Sequence, residues 1–378
     1  MISFAINKAF FLHALNATKK AISTKNAIPI LSTIKIEVAT SGITLTGSNG
    51  QISIEHFISI ENDDAGLLIT STGAILLEAG FFINIVSSLP DVTLDVKELP
   101  HYQVQITSGK SEITLKGKDV EQYPRLQEVD TQNPLILETK TLKQVIAETA
   151  FAASTQESRP ILTGVHVMLK DNHIFKAVAT DSHRMSQRQL TLEKKSADFD
   201  VVIPSRSLRE FSAVFTDDIE TVEIFFSASQ ILFRSDNISF YTRLLEGAYP
   251  DTDRLLTDQF ETEVIFKTVT LRHAMERAFL VSNATQNGTV KLEIADNAVN
   301  AYVNSPEVGK VHEELDIETL SGNDLIISFN PTYLIDALKA LKSETVCIRF
   351  LSPVRPFTLA PGDDSENFIQ LITPVRTN

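Results

Sequence analysis

The 378-residue chain contains one cysteine, Cys347, so it can build neither an internal disulfide nor a multi-cysteine metal site. No stretch approaches the roughly 18 consecutive apolar residues that a membrane span needs. The start, "MISFAINKAFFLH", has no cationic leader, and Asn7, Lys8 and His13 interrupt its apolar positions, which is unlike a secretory signal. Phosphate-loop, dinucleotide-turn and HExxH zinc signatures are all missing, as is any Cys/His cluster. These absences predict a cytoplasmic protein with no membrane partner, no metal and no cofactor. Net positive charge is lacking too. The total of −14 argues, taken alone, against nucleic acid, whose partners usually carry a basic footprint.

What the chain has is a repeat. "EAGFFINIVSSL" at 78–89, "PSRSLREFSAVF" at 204–215 and "NPTYLIDALKAL" at 330–341 begin 126 residues apart. Phe82, Leu208 and Leu334 share that spacing, and so do Pro124 and Pro250. Three times this period is the full length, which predicts three equivalent domains at 1–127, 128–254 and 255–378.

Each of these segments carries large apolar residues at helical spacing, such as Phe82, Ile85, Val86 and Leu89. A second helix precedes each one, over 7–25, 140–159 and 270–285, with spacing that drifts by a few residues. The rest alternates apolar and polar residues across turn signals such as Ser41-Gly42 and Asn49-Gly50, the pattern of antiparallel strands. The fold class predicted is α+β: three repeated domains, each with two helices packed on antiparallel sheets. Polar joints are expected at 127–134 and 255–263.

The six predicted helices hold 13 Lys and Arg against six Asp and Glu, although the chain as a whole is acidic. The 7–25 segment has four lysines and no acid. Helix propensity does not explain this, since glutamate forms helices as readily as lysine. Segregated positive charge suggests a surface that meets phosphates, with acidic strands and loops elsewhere.

"ATDSHRM" at 179–185 looks like catalytic parts. Read as continuous strand, however, it points Asp181 and His183 to one face and Ser182 and Arg184 to the other. A nucleophile and its base must converge, so no catalytic residue is expected here. From the residues alone, three readings stand open: a non-catalytic protein with a phosphate-facing surface, an enzyme on nucleic acid using Asp181–Arg184, and a β-rich structural repeat protein.

The repeat, the helix charge and a set of ordered motifs together resemble the bacterial sliding clamp family, the β subunit of DNA polymerase III. The motifs are "IPIL" at 28–31, "LTG" at 162–164, "ATDSHR" at 179–184, "YPD" at 249–251, "RAFLVSN" at 277–283, "FNPTYLIDAL" at 329–338 and "TPVR" at 373–376. The resemblance spans the whole chain and implies a non-catalytic processivity factor. Such a protein is a head-to-tail homodimeric ring around duplex DNA, opened by a clamp loader and gripped by polymerases through short peptides. It implies DNA contacts at Lys19, Lys20, Lys25, Gln156, Arg159 and Arg206, and a dimer interface at Ile113, Leu115, Arg277, Leu280 and Val281. The partner-peptide pocket it implies takes Leu162, Thr180, Ser182, His183, Arg184 and Met185 from the second repeat. Pro250, Arg254, Leu255, Asn330, Tyr333, Val354, Leu371, Pro374, Val375 and Arg376 complete that pocket. The chain departs from the family at Pro160-Ile161, where aromatic residues are frequent, and at Ser182, where glycine is frequent.

Overall fold

Three helices of this protein begin where a side chain satisfies the free backbone amides of a first turn. In the computed structural model, which describes residues 1–23, 28–90, 92–257, 259–284, 288–362 and 367–376, six α-helices form. They are α1 (Lys8–Lys19), α2 (Ala79–Ser88), α3 (Thr139–Thr149), α4 (Ser205–Val214), α5 (Thr268–Ser282) and α6 (Pro331–Ala340). The side chains of Asn7, Glu78 and Asn330 accept from the opening amides of α1, α2 and α6. The starts of α2, α4 and α6 lie 126 residues apart. Along α1, Phe11, Ala14, Leu15 and Thr18 are buried, the stripe of a core-facing helix.

Two helices are shorter than the sequence predicts. The 7–25 helix ends at Lys19, and the 140–159 helix ends at Thr149 with one 3-10 turn over Ala150–Ala152. Beyond it Ser154 diverts the chain: its hydroxyl accepts from the Gln156 amide, and its own amide donates to the Leu162 carbonyl. Such local side-chain bonds compete with helix, so alanine-rich composition does not carry the helix through.

The chain forms two compact units. The first contains Met1–Leu142 and Arg209–Leu244, and the second Lys143–Leu208 and Leu245–Asn378. The middle third is therefore shared, and strand pairing is the reason. In the first unit, strands Leu135–Glu138, Thr221–Phe226, Gln230–Arg234 and Ile238–Arg243 continue a sheet begun by Gly73–Glu78, Thr33–Ala39, Gly42–Ser48 and Ile52–Ser59. Ile238–Arg243 pairs antiparallel with Ile52–Ser59, setting Phe240 opposite Ile54. In the second unit, Arg184–Thr191 pairs antiparallel with Phe368–Ile372, setting Met185 opposite Leu371. Both junctions join one strand of a repeat to one strand of the next.

The remaining sheet of the first unit has five strands and ends at Ser111–Lys116. That of the second unit has four and ends at Gly309–Glu314. Gly42 opens the second strand of a hairpin at φ 156°, where a Cβ would collide with the Ile58 carbonyl. Phenylalanine fills the cores: Phe4, Phe11 and Phe82 meet edge to face in the first unit, and Phe329, Phe350 and Phe357 pack in the second.

His56, on strand Ile52–Ser59, is 2% exposed, and its Nδ1 has no hydrogen-bond partner. Burial, with the His13 ring 6.4 Å away, lowers its pKa from 6.5 to about 4. Between those values the unfolded chain binds a proton that the folded chain refuses. Stability is therefore full above pH 6.5 and falls as pH drops toward 4, by on the order of 3 kcal/mol. His56→Gln should flatten the stability profile across that window, as read by urea unfolding at a series of pH values.

Candidate functional site

Residues 179–185 are not one strand. Strand Ile174–Thr180 ends and strand Arg184–Thr191 begins around a hairpin turn at Asp181, Ser182 and His183. This corrects the alternating-face reading of the stretch, because turn chemistry overrides strand periodicity there. Asp181 Oδ1 accepts from the amides of His183 and Arg184, and Oδ2 accepts from Arg184 Nε at 3.0 Å. The Thr180 hydroxyl accepts from the Ser182 amide and donates to the Arg184 carbonyl. Ser182 sits at φ 79°, a left-handed conformation that costs an L-residue roughly 1 kcal/mol.

Arg184 is the centre of the constellation. Nη1 reaches Asp336 of α6 at 2.7 Å, and Nη2 donates to the Phe151 carbonyl at 2.9 Å. The guanidinium also lies 4.9 Å from the Tyr333 ring centre. The His183 imidazole stacks parallel to Tyr333, and the His183 carbonyl accepts from both the amide and the hydroxyl of Thr373. The tail is tied down again where the Val375 amide donates to the Ser328 carbonyl at 2.7 Å. Asn330, the cap of α6, completes this side.

Beneath the turn lies an apolar floor. Met168, Val178, Met185 and Leu371 form a buried cluster, with Tyr249 and Leu256 packed on it. Tyr249 Oη accepts from the Thr180 amide at 3.1 Å, its ring lies against His166, and burial raises its pKa. Met185 is only 1% exposed, so it belongs to the floor rather than to a contact rim. Val354 at 57% and Val375 at 40% exposure, together with Leu255, offer apolar surface to solvent. Leu162 is buried outside this cluster. Arg254 is exposed and pairs with Asp251 at 2.7 Å. Pro250 and Arg376 are exposed, and Pro374 is half-buried.

Sequence reasoning missed Asp336, Thr373 and Tyr249. The first was detectable: Tyr333 and Asp336 are three apart on one helix and so share a face.

The other expected contacts are dispersed. Lys19 closes α1, and Lys20 caps it while donating to the Ala213 carbonyl in the last turn of α4. Lys25 lies outside the described residues. Gln156 and Arg159 are exposed, and Arg159 Nη1 reaches Ser182 Oγ at 3.4 Å. Arg206 is exposed in the first turn of α4. Ile113 and Leu115 sit half-buried on the edge strand Ser111–Lys116. Arg277 of α5 forms an ion pair with Glu313 of the edge strand Gly309–Glu314, and Leu280 is largely exposed.

Nothing in the turn activates a nucleophile. Asp181 is committed to Arg184 and backbone amides, while His183 lies on Tyr333. The arrangement defines a repeat protein of α+β domains that presents surfaces for holding partners. Comparison with known proteins agrees. Residues 2–127, 136–251 and 253–376 match the N-terminal, central and C-terminal domains of the DNA polymerase III beta subunit. The beta sliding clamp of Streptococcus pneumoniae serotype 4 is 72% identical over 378 residues, covering all of both chains. The crystal structure of the S. pneumoniae TIGR4 DNA polymerase III beta chain superposes with a TM-score of 0.99 at 72% identity and full coverage of both chains. That of the Streptococcus pyogenes beta subunit gives 0.97 at 75% identity, again with full coverage of both. The chain belongs to the DNA polymerase III beta subunit family, the sliding clamps, which are non-catalytic processivity factors of the replicative polymerase.

Two substitutions test the turn. Ser182→Gly should remove the left-handed strain and stabilise the protein by about 0.5 kcal/mol, part of the gain being offset by unfolded-state entropy. Arg184→Ala strands Asp181 and Asp336 and should cost about 2 kcal/mol, between the surface and fully buried limits for ion pairs. Chemical denaturation checks both.

Proposed function

We propose that two copies of the chain join head to tail into a ring around duplex DNA, and that partner peptides dock beside the Asp181–His183 turn. The observation that carries the ring is a pair of sheet-edge strands that lack a partner while their counterparts in the repeat have one. Within the chain, Ile52–Ser59 pairs with Ile238–Arg243 and Arg184–Thr191 with Phe368–Ile372. Their counterparts in the repeat are Gly309–Glu314 and Ser111–Lys116, each the outermost strand of its sheet. Open edges are a liability unless something pairs with them. A third junction of the same kind, made between copies, would use both edges and close with two subunits. Ile113 and Leu115 lie on one edge. Arg277 is tied to the other through Glu313, with Leu280 and Val281 on the same helix.

The helices supply the DNA-facing charge. Within their observed bounds they hold nine Lys and Arg against four Asp and Glu. Lys19, Lys20, Lys25, Gln156, Arg159 and Arg206 contact phosphates without reading sequence, which permits sliding. The docking site takes its walls from Leu162, Thr180, Ser182, His183, Arg184, Asn330 and Tyr333, and its floor from Met185 and Leu371. Its exposed apolar rim is Pro250, Leu255, Val354, Pro374 and Val375, with Arg254 and Arg376 beside it, a composition suited to short peptides. Occupants are replicative and repair polymerases and the clamp loader, in the cytoplasm. The three repeats divide at 127/128 and 254/255.

Protein loaded on nicked circular DNA should slide off once the DNA is linearised, and retention at physiological salt would refute the ring. Native mass should be twice the 41.9 kDa chain. Removing residues 374–378 should abolish binding of a polymerase-derived peptide and leave encirclement intact. Equal peptide affinity would sink the docking site. Met185→Lys is a poorer test, because a charge in that floor would unfold it.

A further inference from the structure

We propose that the junction of the first and second repeats carries another docking cleft, one that takes the arginine side chain of a partner peptide. The inference rests on the repeat and on the cavity itself, independently of the peptide site beside Asp181. Pro124 stands 126 residues before Pro250, and the turn at Asn49–Gln51 joins the two strands equivalent to those joined by Asp181–His183. Tyr241 lies on the strand that crosses between repeats here, as Leu371 does in the second unit. Pro124 and Tyr241 line a cavity of about 570 Å³ within the first unit, and Gly50 and Gln51 of the turn line a smaller one of about 100 Å³ that adjoins it.

Its chemistry differs from the apolar floor under the Asp181 turn. Glu37, Glu55, Glu121 and Glu128 line the larger cavity, against Lys35 and Arg125. Lys35 is already bonded to Glu37 at 2.6 Å. Glu55 accepts from Tyr241 Oη at 3.2 Å and weakly from Thr46 Oγ1 at 3.5 Å, and among the described residues it has no salt bridge to a cation. Burial raises its pKa and outweighs the lowering effects of the Tyr241 bond and the nearby Lys35 charge. Tyr123 also lines the cavity. It is 7% exposed, its hydroxyl has no partner among the described residues, and the negative charge of Glu55 bears on it. A carboxylate with no cation bonded to it and a phenol oxygen with no donor, beside two tyrosine rings, match a guanidinium. That group is flat, carries five donors and no acceptor, and stacks on aromatic faces.

The test labels the six tyrosines with 3-fluorotyrosine and follows fluorine NMR of the full-length protein. Tyr123→Phe and Tyr241→Phe assign the two signals. A capped tripeptide with central arginine should shift both saturably and leave the Tyr302 and Tyr333 signals unmoved. The matching citrulline peptide, neutral and equal in shape, should not. Glu55→Gln should weaken the arginine peptide about tenfold or more, the value of a charge-assisted hydrogen bond. Unchanged Tyr302 and Tyr333 signals show that this variant remains folded. Absence of a shift, an equal shift with citrulline, or undiminished affinity in Glu55→Gln would each overturn the proposal. So would free arginine amide binding as well as the tripeptide, since the site would then hold a small molecule rather than a peptide.

Discussion

The structure depends on one constraint: a β-strand at the edge of a sheet needs a partner for its backbone. The first and second thirds of the chain each offer an open sheet edge, and the next third supplies the pairing strand. Phe240 opposite Ile54 and Met185 opposite Leu371 record that constraint at two junctions. It explains why a chain of three repeats forms two compact units, with the middle repeat divided between them. The ladder bonds along a paired edge run between backbone groups.

The same constraint builds the site. Pairing Arg184–Thr191 with Phe368–Ile372 brings a turn from one repeat beside the tail of another. Arg184 then fastens the turn to α6 through Asp336 and to the Phe151 carbonyl. Its donors are rigidly forked, so three acceptors from separate segments are fixed at once. The exposed side chains near this knot, Val354 and Val375, are apolar, whereas the knot itself is polar and largely buried.

The repeat, the helices and the strand alternation were legible because periodicity is a local property that burial imposes on sequence. Phe82, Ile85 and Val86 declare a helix wherever they are placed. The termini of the helices were less legible: Ser154 stops a segment whose composition favours continuing. The turn at Asp181–His183 was misread as strand because residues with strand-like neighbours can still satisfy one another through side-chain-to-backbone bonds. The expected pocket residues came from ordered motifs; Asp336 and Thr373 lie inside two of those motifs, but a motif does not say which of its side chains fastens the turn.

By itself the sequence determined the α+β class, the period of 126 and the gathering of positive charge on helices, since each follows from local spacing and composition. Only the tertiary structure decided which edges pair, that Met185 is floor rather than rim, and that "ATDSHRM" folds back on itself around Arg184. Those outcomes depend on contacts between residues far apart in the chain, as from Arg184 to Asp336 and from Met185 to Leu371. Local periodicity carries no record of such contacts.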